Sequence, residues 1–208
     1  ACGNAIETLV AEQGLDLKVA VITGDDLLDR AEDLAGQAYA EMFSSKPFPD
    51  SEKLASINAY LGAFPIAEAL TRGADIVITG LSVDSAVTLG ACIHEFGWTR
   101  DDLDLLASGS LAGHILECGP QATGGNYTDW EDVADSLHEV GYPIAESCAD
   151  GSFVCTKPNE TGGAVTVGTV GEQMLYEIGD PAAYALPDVI CNFSHVELNQ
   201  LGADRVQV

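Results

Sequence analysis

Two short runs of this chain repeat one pattern, and the repeat limits the folds open to it. Leu17-Lys-Val-Ala-Val-Ile22 is apolar and β-branched and passes straight into Thr23-Gly-Asp-Asp26; Asp75-Ile-Val-Ile-Thr-Gly80 passes likewise into Ser82-Val-Asp-Ser85. Consecutive apolar residues of this kind read as a strand buried on both faces. Apolar residues at helical spacing follow each turn, which predicts helices over residues 27–42 and Ala86–Phe96. Strand, tight turn and helix, twice over, mark an α/β fold with parallel strands. The expected architecture is one α/β domain over residues 1–208: a mostly parallel sheet with helices on both faces, and β-hairpin excursions toward the C-terminus.

Open α/β sheets bind ligands beyond the carboxyl ends of their strands. The two matching strand ends therefore nominate Thr23, Asp25 and Asp26 from the first and Asp84 from the second as cleft residues. An equally simple reading makes each aspartate the N-cap of the helix that follows it.

The stretch from Ser108 to Asn126 carries the densest set of reactive and small residues. Ser108-Gly109-Ser110 is expected to be a turn whose hydroxyls cap a helix over residues 111–118, which Gly119 and Pro120 then end. His114, Glu117 and Cys118 stand at i, i+3 and i+4, so imidazole, carboxyl and thiol share one side of that helix. Gln121, Thr123, Gly124, Gly125 and Asn126 form a loop whose backbone can approach a ligand closely. Ser108, Gly109 and Ser110 join these loop residues as candidate substrate contacts. Cys118 is open to two readings, a nucleophile one turn from His114 or a buried, inert thiol.

Further along, Asp150-Gly151 signals a two-residue hairpin between apolar runs, and Thr169 is expected to cap a helix that Gly179 and Pro181 finish. A short strand near Val189 and a terminal hairpin around Gly202-Ala-Asp204 complete the chain. Lys157 stands between turn-forming residues in a chain poor in cations, either holding an anionic substrate group or facing solvent at a strand end. His94 lies in the last turn of its helix, where the helix dipole alone favours it.

Charge excludes one class of function. Acidic residues number 33 against 8 basic ones, a net of −25, so no cationic face exists to neutralise nucleic-acid phosphates or an anionic membrane. The acidity fits either a surface suited to high salt or an ordinary acidic bias. The six cysteines form no C-x-x-C pair, which disfavours a zinc ribbon or a thioredoxin-type motif. Cys148 and Cys155 flank the hairpin, with a disulfide between them the less favoured reading. A signal peptide and an apolar run of spanning length are both unrecognisable here, so a reducing cytoplasm is the expected compartment.

In order along the chain, Leu17-Lys-Val-Ala-Val-Ile-Thr-Gly-Asp-Asp26, Ala74-Asp-Ile-Val-Ile-Thr-Gly80, Gly109-Ser-Leu-Ala-Gly-His-Ile-Leu-Glu-Cys-Gly119, Gln121-Ala-Thr-Gly-Gly-Asn126, Tyr142-Pro-Ile-Ala-Glu146, Asp150-Gly-Ser-Phe153 and Leu175-Tyr-Glu-Ile-Gly-Asp-Pro181 resemble the amino-terminal domain of the acyclic terpene utilisation (AtuA) family. The resemblance implies a catabolic protein of citronellol- and geraniol-like compounds, working through acyl-CoA intermediates. It supplies no reaction and no catalytic residues. It also implies a glycine-rich segment ahead of the first strand and more chain after the last, so the sequence is expected to be part of a longer protein.

Three functional readings follow. In the first, His114 is a general base or acid oriented by Glu117, with Asp84 nearby, acting beside the carbonyl of an acyl-CoA-type substrate in hydratase or lyase chemistry. Backbone N–H groups of residues 109–111 or 124–126 would polarise the carbonyl oxygen. In the second, Asp25, Asp84, His114 and Glu117 hold a divalent metal, the only cofactor the sequence suggests. In the third, the chain is a non-catalytic subunit, pairing with itself or with a partner, and its glycines serve close packing.

Overall fold

The two apolar runs do pair, but they are not strands buried on both faces: Val21 is 50% exposed and the other paired residues of both runs are only half-buried. In the computed structural model, which describes residues 2–208, β1 (Val19–Ile22) lies parallel to a second strand, Ile76–Thr79, with Val19 opposite Ile76 and Ile22 opposite Thr79. The chain divides into two compact units, Ala1–Leu61 with Gly73–Val83, and Gly62–Arg72 with Asp84–Val208.

The first unit holds α1 (Cys2–Glu12), β1, α2 (Ala31–Gly36) and β2 (Ile76–Thr79). Gly3 lets α1 sit directly on β1, since a Cβ there would lie 2.5 Å from Val21 Cγ2. The helix expected over residues 27–42 is much shorter, a 3₁₀ turn at Leu28–Arg30 and then α2. Only Ala31 of that range is buried, and nothing covers the expected C-terminal end: Met42, and Phe43 just beyond it, are 83% and 87% exposed. Ala38 turns left-handed instead, and Ala40 bridges to Pro47.

The second unit is arranged around a helix. It contains α3 (Phe64–Thr71), α4 (Ala86–Phe96), α5 (Leu103–Glu117), β3 (Ile144–Ser147), β4 (Phe153–Thr156), α6 (Val167–Leu175), β5 (Tyr184–Ala185), β6 (Ile190–Cys191), β7 (Asn199–Gly202) and β8 (Arg205–Gln207). Every residue of α5 from Gly109 to Ile115 is buried, as befits a helix covered all round. The small residues explain how. A Cβ on Gly109 would meet Leu89 and Trp98, and one on Gly90 of α4 would meet Ile66 of α3, so neighbouring helices approach to backbone distance.

Ser108-Gly109-Ser110 is therefore no turn but the middle of α5. Glycine costs a helix interior about 1 kcal/mol, and the packing of Leu89, Leu106 and Ile115, each at most 1% exposed, outweighs it at about 1.5–3 kcal/mol per buried side chain. Ser110 Oγ donates to Leu106 O at 2.8 Å and caps nothing. α6 both starts and ends earlier than expected: Thr166 is the cap, with Thr169 completing a reciprocal capping box, and the helix stops at Leu175, before Gly179 and Pro181 are reached.

Among the described strands, only β1 and β2 pair in parallel; the other parallel contacts are single bridges, Leu61 with Ser82 and Val140 with Gly162. The largest sheet is antiparallel, in the order β3-β4-β8-β7, so the architecture is a mixed α/β one. Only two strand–turn–helix repeats exist to feed a parallel sheet, and the later strands are joined locally as hairpins. Between β3 and β4 the connection is longer than the two residues expected, with Gly151 left-handed at φ 90. No helix among the described residues is long and apolar enough to cross a membrane.

The hairpin also separates its two cysteines. Cys155 pairs with Ala145 and is buried, whereas Cys148 is exposed, and both are free. Burial pushes the thiols of Cys155 and Cys191 up to about 12 and about 11. A native-state thiol titration should therefore count Cys2 and Cys148 at once, with Cys92, Cys155 and Cys191 reacting only on unfolding. Prompt labelling of Cys155 in the folded chain would contradict the buried strand.

Candidate functional site

The last turn of α5 carries His114 and Glu117, and the glycine before them decides what they meet. A Cβ on Gly113 would lie 2.5 Å from Ser85 O and 2.7 Å from Ser85 Cα, so the start of α4 rests on the backbone of α5 at this point. The residue ahead of Ser85 is Asp84. The N-cap position of α4 belongs to Ser85, with no side-chain cap bond, so Asp84 is not consumed as a cap. A third carboxylate arrives from the end of α6. Gln173 Nε2 donates to His114 O at 3.1 Å, fastening α6 to α5. The chain then leaves the helix at Tyr176, and Glu177 takes a left-handed φ of 58. Asp84, Glu117 and Glu177 thus each offer an oxygen within 4.8 Å of the others.

His114 stands behind this cluster, with Nδ1 3.7 Å from Glu117 Oε1 and side chains only 4% and 11% exposed. Burial, then the charge of Asp84, raises the Glu117 carboxyl to about 7. Burial also lowers the His114 imidazole from its usual value, partly opposed by backbone groups of Gln173, Tyr176 and Met174. The imidazole is therefore neutral at neutral pH, while Glu117 exchanges its proton there. Tyr184 lies with its ring centroid 6.0 Å from that of His114, and its phenol is pushed up by burial and then by Glu117 and Asp84, which keeps it a neutral donor. Such an arrangement can relay a proton, or it can accept a hard cation in place of one.

Cys118 does not fit the role of nucleophile. Burial and then the Glu117 charge raise its thiol, which removes thiolate. Of the backbone donors expected to polarise a carbonyl, all but that of Asn126 are also spent. Residues 109–111 lie inside α5, Gly124 N donates to Gln121 O at 3.1 Å, and Gly125 N donates to Pro120 O at 2.8 Å. Thr123 is fully buried, its hydroxyl given to Gly141 O at 2.6 Å. Gly125 and Asn126 are exposed. Ser108 donates to Gly151 O and lines a groove with Leu111, Phe153 and Phe193, a groove that includes none of the three carboxylates. Lys157 neither faces solvent nor awaits an anion: it is 9% exposed, bonded to Thr161 O at 2.7 Å and paired with Asp204 Oδ2 at 3.2 Å.

Thr23 and Asp25 belong to the first unit, where they follow β1. Asp25 is a brace between strand ends, accepting from Leu81 N at 2.9 Å and Asn58 Nδ2 at 3.1 Å. The Leu81 bond leads in holding its carboxyl below the ordinary value. Asp26 caps locally, Oδ1 accepting from Leu28 N at 3.0 Å.

Of the predicted residues, then, Asp84, His114 and Glu117 come together, and Gln121 lies against the Tyr176 hydroxyl beside Glu177. Sequence reasoning missed Glu177 and Tyr184. Glu177 had one signal, the Glu-Ile-Gly-Asp-Pro run that cannot stay helical to its end; Tyr184 had none. No curated protein and no solved structure matches the chain significantly. The family model described as "Acyclic terpene utilisation family protein AtuA" matches residues 1–208, and the chain belongs to that family.

Proposed function

We propose that this chain acts on an activated carboxylic substrate of acyl-CoA type in the breakdown of acyclic terpenoids, by proton transfer next to the carbonyl, in hydratase or lyase chemistry. One observation carries the reading: a buried imidazole backs a carboxyl in the last turn of α5, and two further carboxylates from other elements crowd that carboxyl. The His114–Glu117 pair is the proton-transfer unit. Asp84 and Glu177 hold the negative field that makes a proton on the pair favourable, and the Tyr184 phenol is the donor on hand for a developing oxyanion.

Deuterium exchange tests this without foreknowledge of the product. The chain is incubated in heavy water with a panel of straight and branched acyl-CoA thioesters, and label is followed at the carbon beside the carbonyl. Exchange above the buffer rate is expected for at least one thioester, and His114→Gln or Glu117→Gln should slow it by roughly 10²-fold. Equal exchange in variants of unchanged thermal midpoint would remove the pair from the chemistry. Absence of exchange across the panel would sink the reaction itself.

A further inference from the structure

We infer that Asp84, Glu117 and Glu177 form a divalent-cation site of the hard, all-oxygen type, suited to Mg²⁺ or Mn²⁺. The site is the one to which proton transfer was assigned above, so the inference rests on that placement. It does not depend on the reaction.

Geometry comes first. Octahedral ligands about 2.1 Å from such an ion stand about 3.0–4.2 Å from one another. Three carboxylate oxygens already within 4.8 Å of one another reach that spacing with small side-chain shifts. They come from three separate elements, the approach to α4, the end of α5 and the turn after α6, so no local helix or turn requires them to converge. One oxygen from each suffices for the ion, and the second oxygen of Glu117 remains for His114 Nδ1. Three monodentate ligands leave half an octahedron for water or for a substrate oxygen.

The second observation is independent of the carboxylates. Among the described residues, three buried side-chain atoms lack any hydrogen-bond partner: His114 Nε2, Gln121 Oε1 and Gln173 Oε1. Two of them, Gln121 Oε1 and Gln173 Oε1, belong to side chains beside this site, whereas His114 Nε2 lies on the edge of the ring turned away from Glu117. His114, 3% exposed, faces Glu117 through Nδ1; Gln173, fully buried, lies against the Cys118 thiol beside Glu117; and Gln121 lies against Tyr176 beside Glu177. A buried polar atom left unpaired costs about 1–3 kcal/mol, and native chains carry few. Two of the three are amide oxygens, which need donors. Mg²⁺ and Mn²⁺ bind with several waters retained, and water on a dication is a strong donor. A hydrated ion between the carboxylates therefore answers both the like-charge crowding and the unpaired oxygens. A proton on Glu117 answers only the first.

The chain's net charge of −25 attracts any cation, so the test has to separate a site from a counter-ion cloud. Chelator-treated protein is titrated with Mn²⁺ at high monovalent salt, with bound metal read by electron paramagnetic resonance and calorimetry. One saturable Mn²⁺ per chain is expected. Asp84→Asn and Glu177→Gln should each weaken it at least tenfold, and Glu32→Gln on α2 should not. His114→Gln, which leaves the ligands but removes the imidazole behind Glu117, should weaken it by roughly tenfold. Weak, salt-sensitive binding that Asp84→Asn and Glu177→Gln leave unchanged would overturn the site as counter-ions only. Zn²⁺ binding that survives both substitutions and is lost in Cys118→Ser would overturn it in favour of a thiol site. Mn²⁺ bound as expected without any deuterium exchange would uphold the cation site and remove the reaction. Exchange that proceeds unchanged with no saturable Mn²⁺ would do the reverse.

Discussion

Gly113→Val is expected to lower stability by about 3 kcal/mol and to disable the carboxylate cluster together with it. The added Cβ meets Ser85 O at 2.5 Å and Ser85 Cα at 2.7 Å, and both are backbone atoms that no rotamer change can move aside. Relief comes only by lifting the start of α4 off α5, which carries Asp84 away from Glu117. Urea midpoints with unchanged slope give the stability loss, and Mn²⁺ affinity gives the loss at the site. Gly36→Ala at the end of α2 is the comparison. Nothing lies within 4 Å of its added Cβ, so only the helix preference of alanine, up to about 1 kcal/mol of stabilisation, should register. If Gly113→Val unfolds no earlier than the wild-type chain, the close contact between α4 and α5 is wrong, and so is the route by which Asp84 reaches the site.

The second large effect is an asymmetry. Asp204→Asn should cost about 3 kcal/mol, whereas Lys157→Met should stay within about 1 kcal/mol of the parent. Lys157 is the buried partner, 6% exposed in its side chain, and loss of Asp204's charge leaves its ammonium without an opposite charge. Asp204 is 38% exposed, so without Lys157 its carboxylate still meets water and still accepts from Val165 N at 2.9 Å. Asparagine keeps that acceptor and tolerates the left-handed φ of 53, which confines the change to charge. Equal losses from the two substitutions would show that the pair is solvated and that the loop carrying Asp204 does not close over Lys157.

What the sequence disclosed was local. β1, β2 and α4 were legible because consecutive β-branched residues and a clean 3.6 period need no distant information. The first half of α5 was misread because Ser-Gly-Ser has turn chemistry, and the residues that override it, Leu89 and Trp98, lie on other parts of the chain. The site divides in the same way. His114 and Glu117 were readable from their spacing on one helix, and Asp84 from its place after a strand. Glu177 reaches them through the packing of α6 on α5, fixed by the Gln173 bond to His114 O, and no spacing rule encodes that. The pairing of β4 with β8 was hidden for the same reason, since each strand was legible only as half of its own hairpin.

Glu177 sets function against durability. Its left-handed backbone is one that glycine adopts freely and glutamate adopts at a cost of about 1–2 kcal/mol. A lineage under pressure for heat resistance alone would find glycine here an easy gain, and would discard a carboxylate that stability does not require. Retention of the acid at this position is thus a running cost to the fold, and drift away from it would mark descendants that have given up whatever the cluster does.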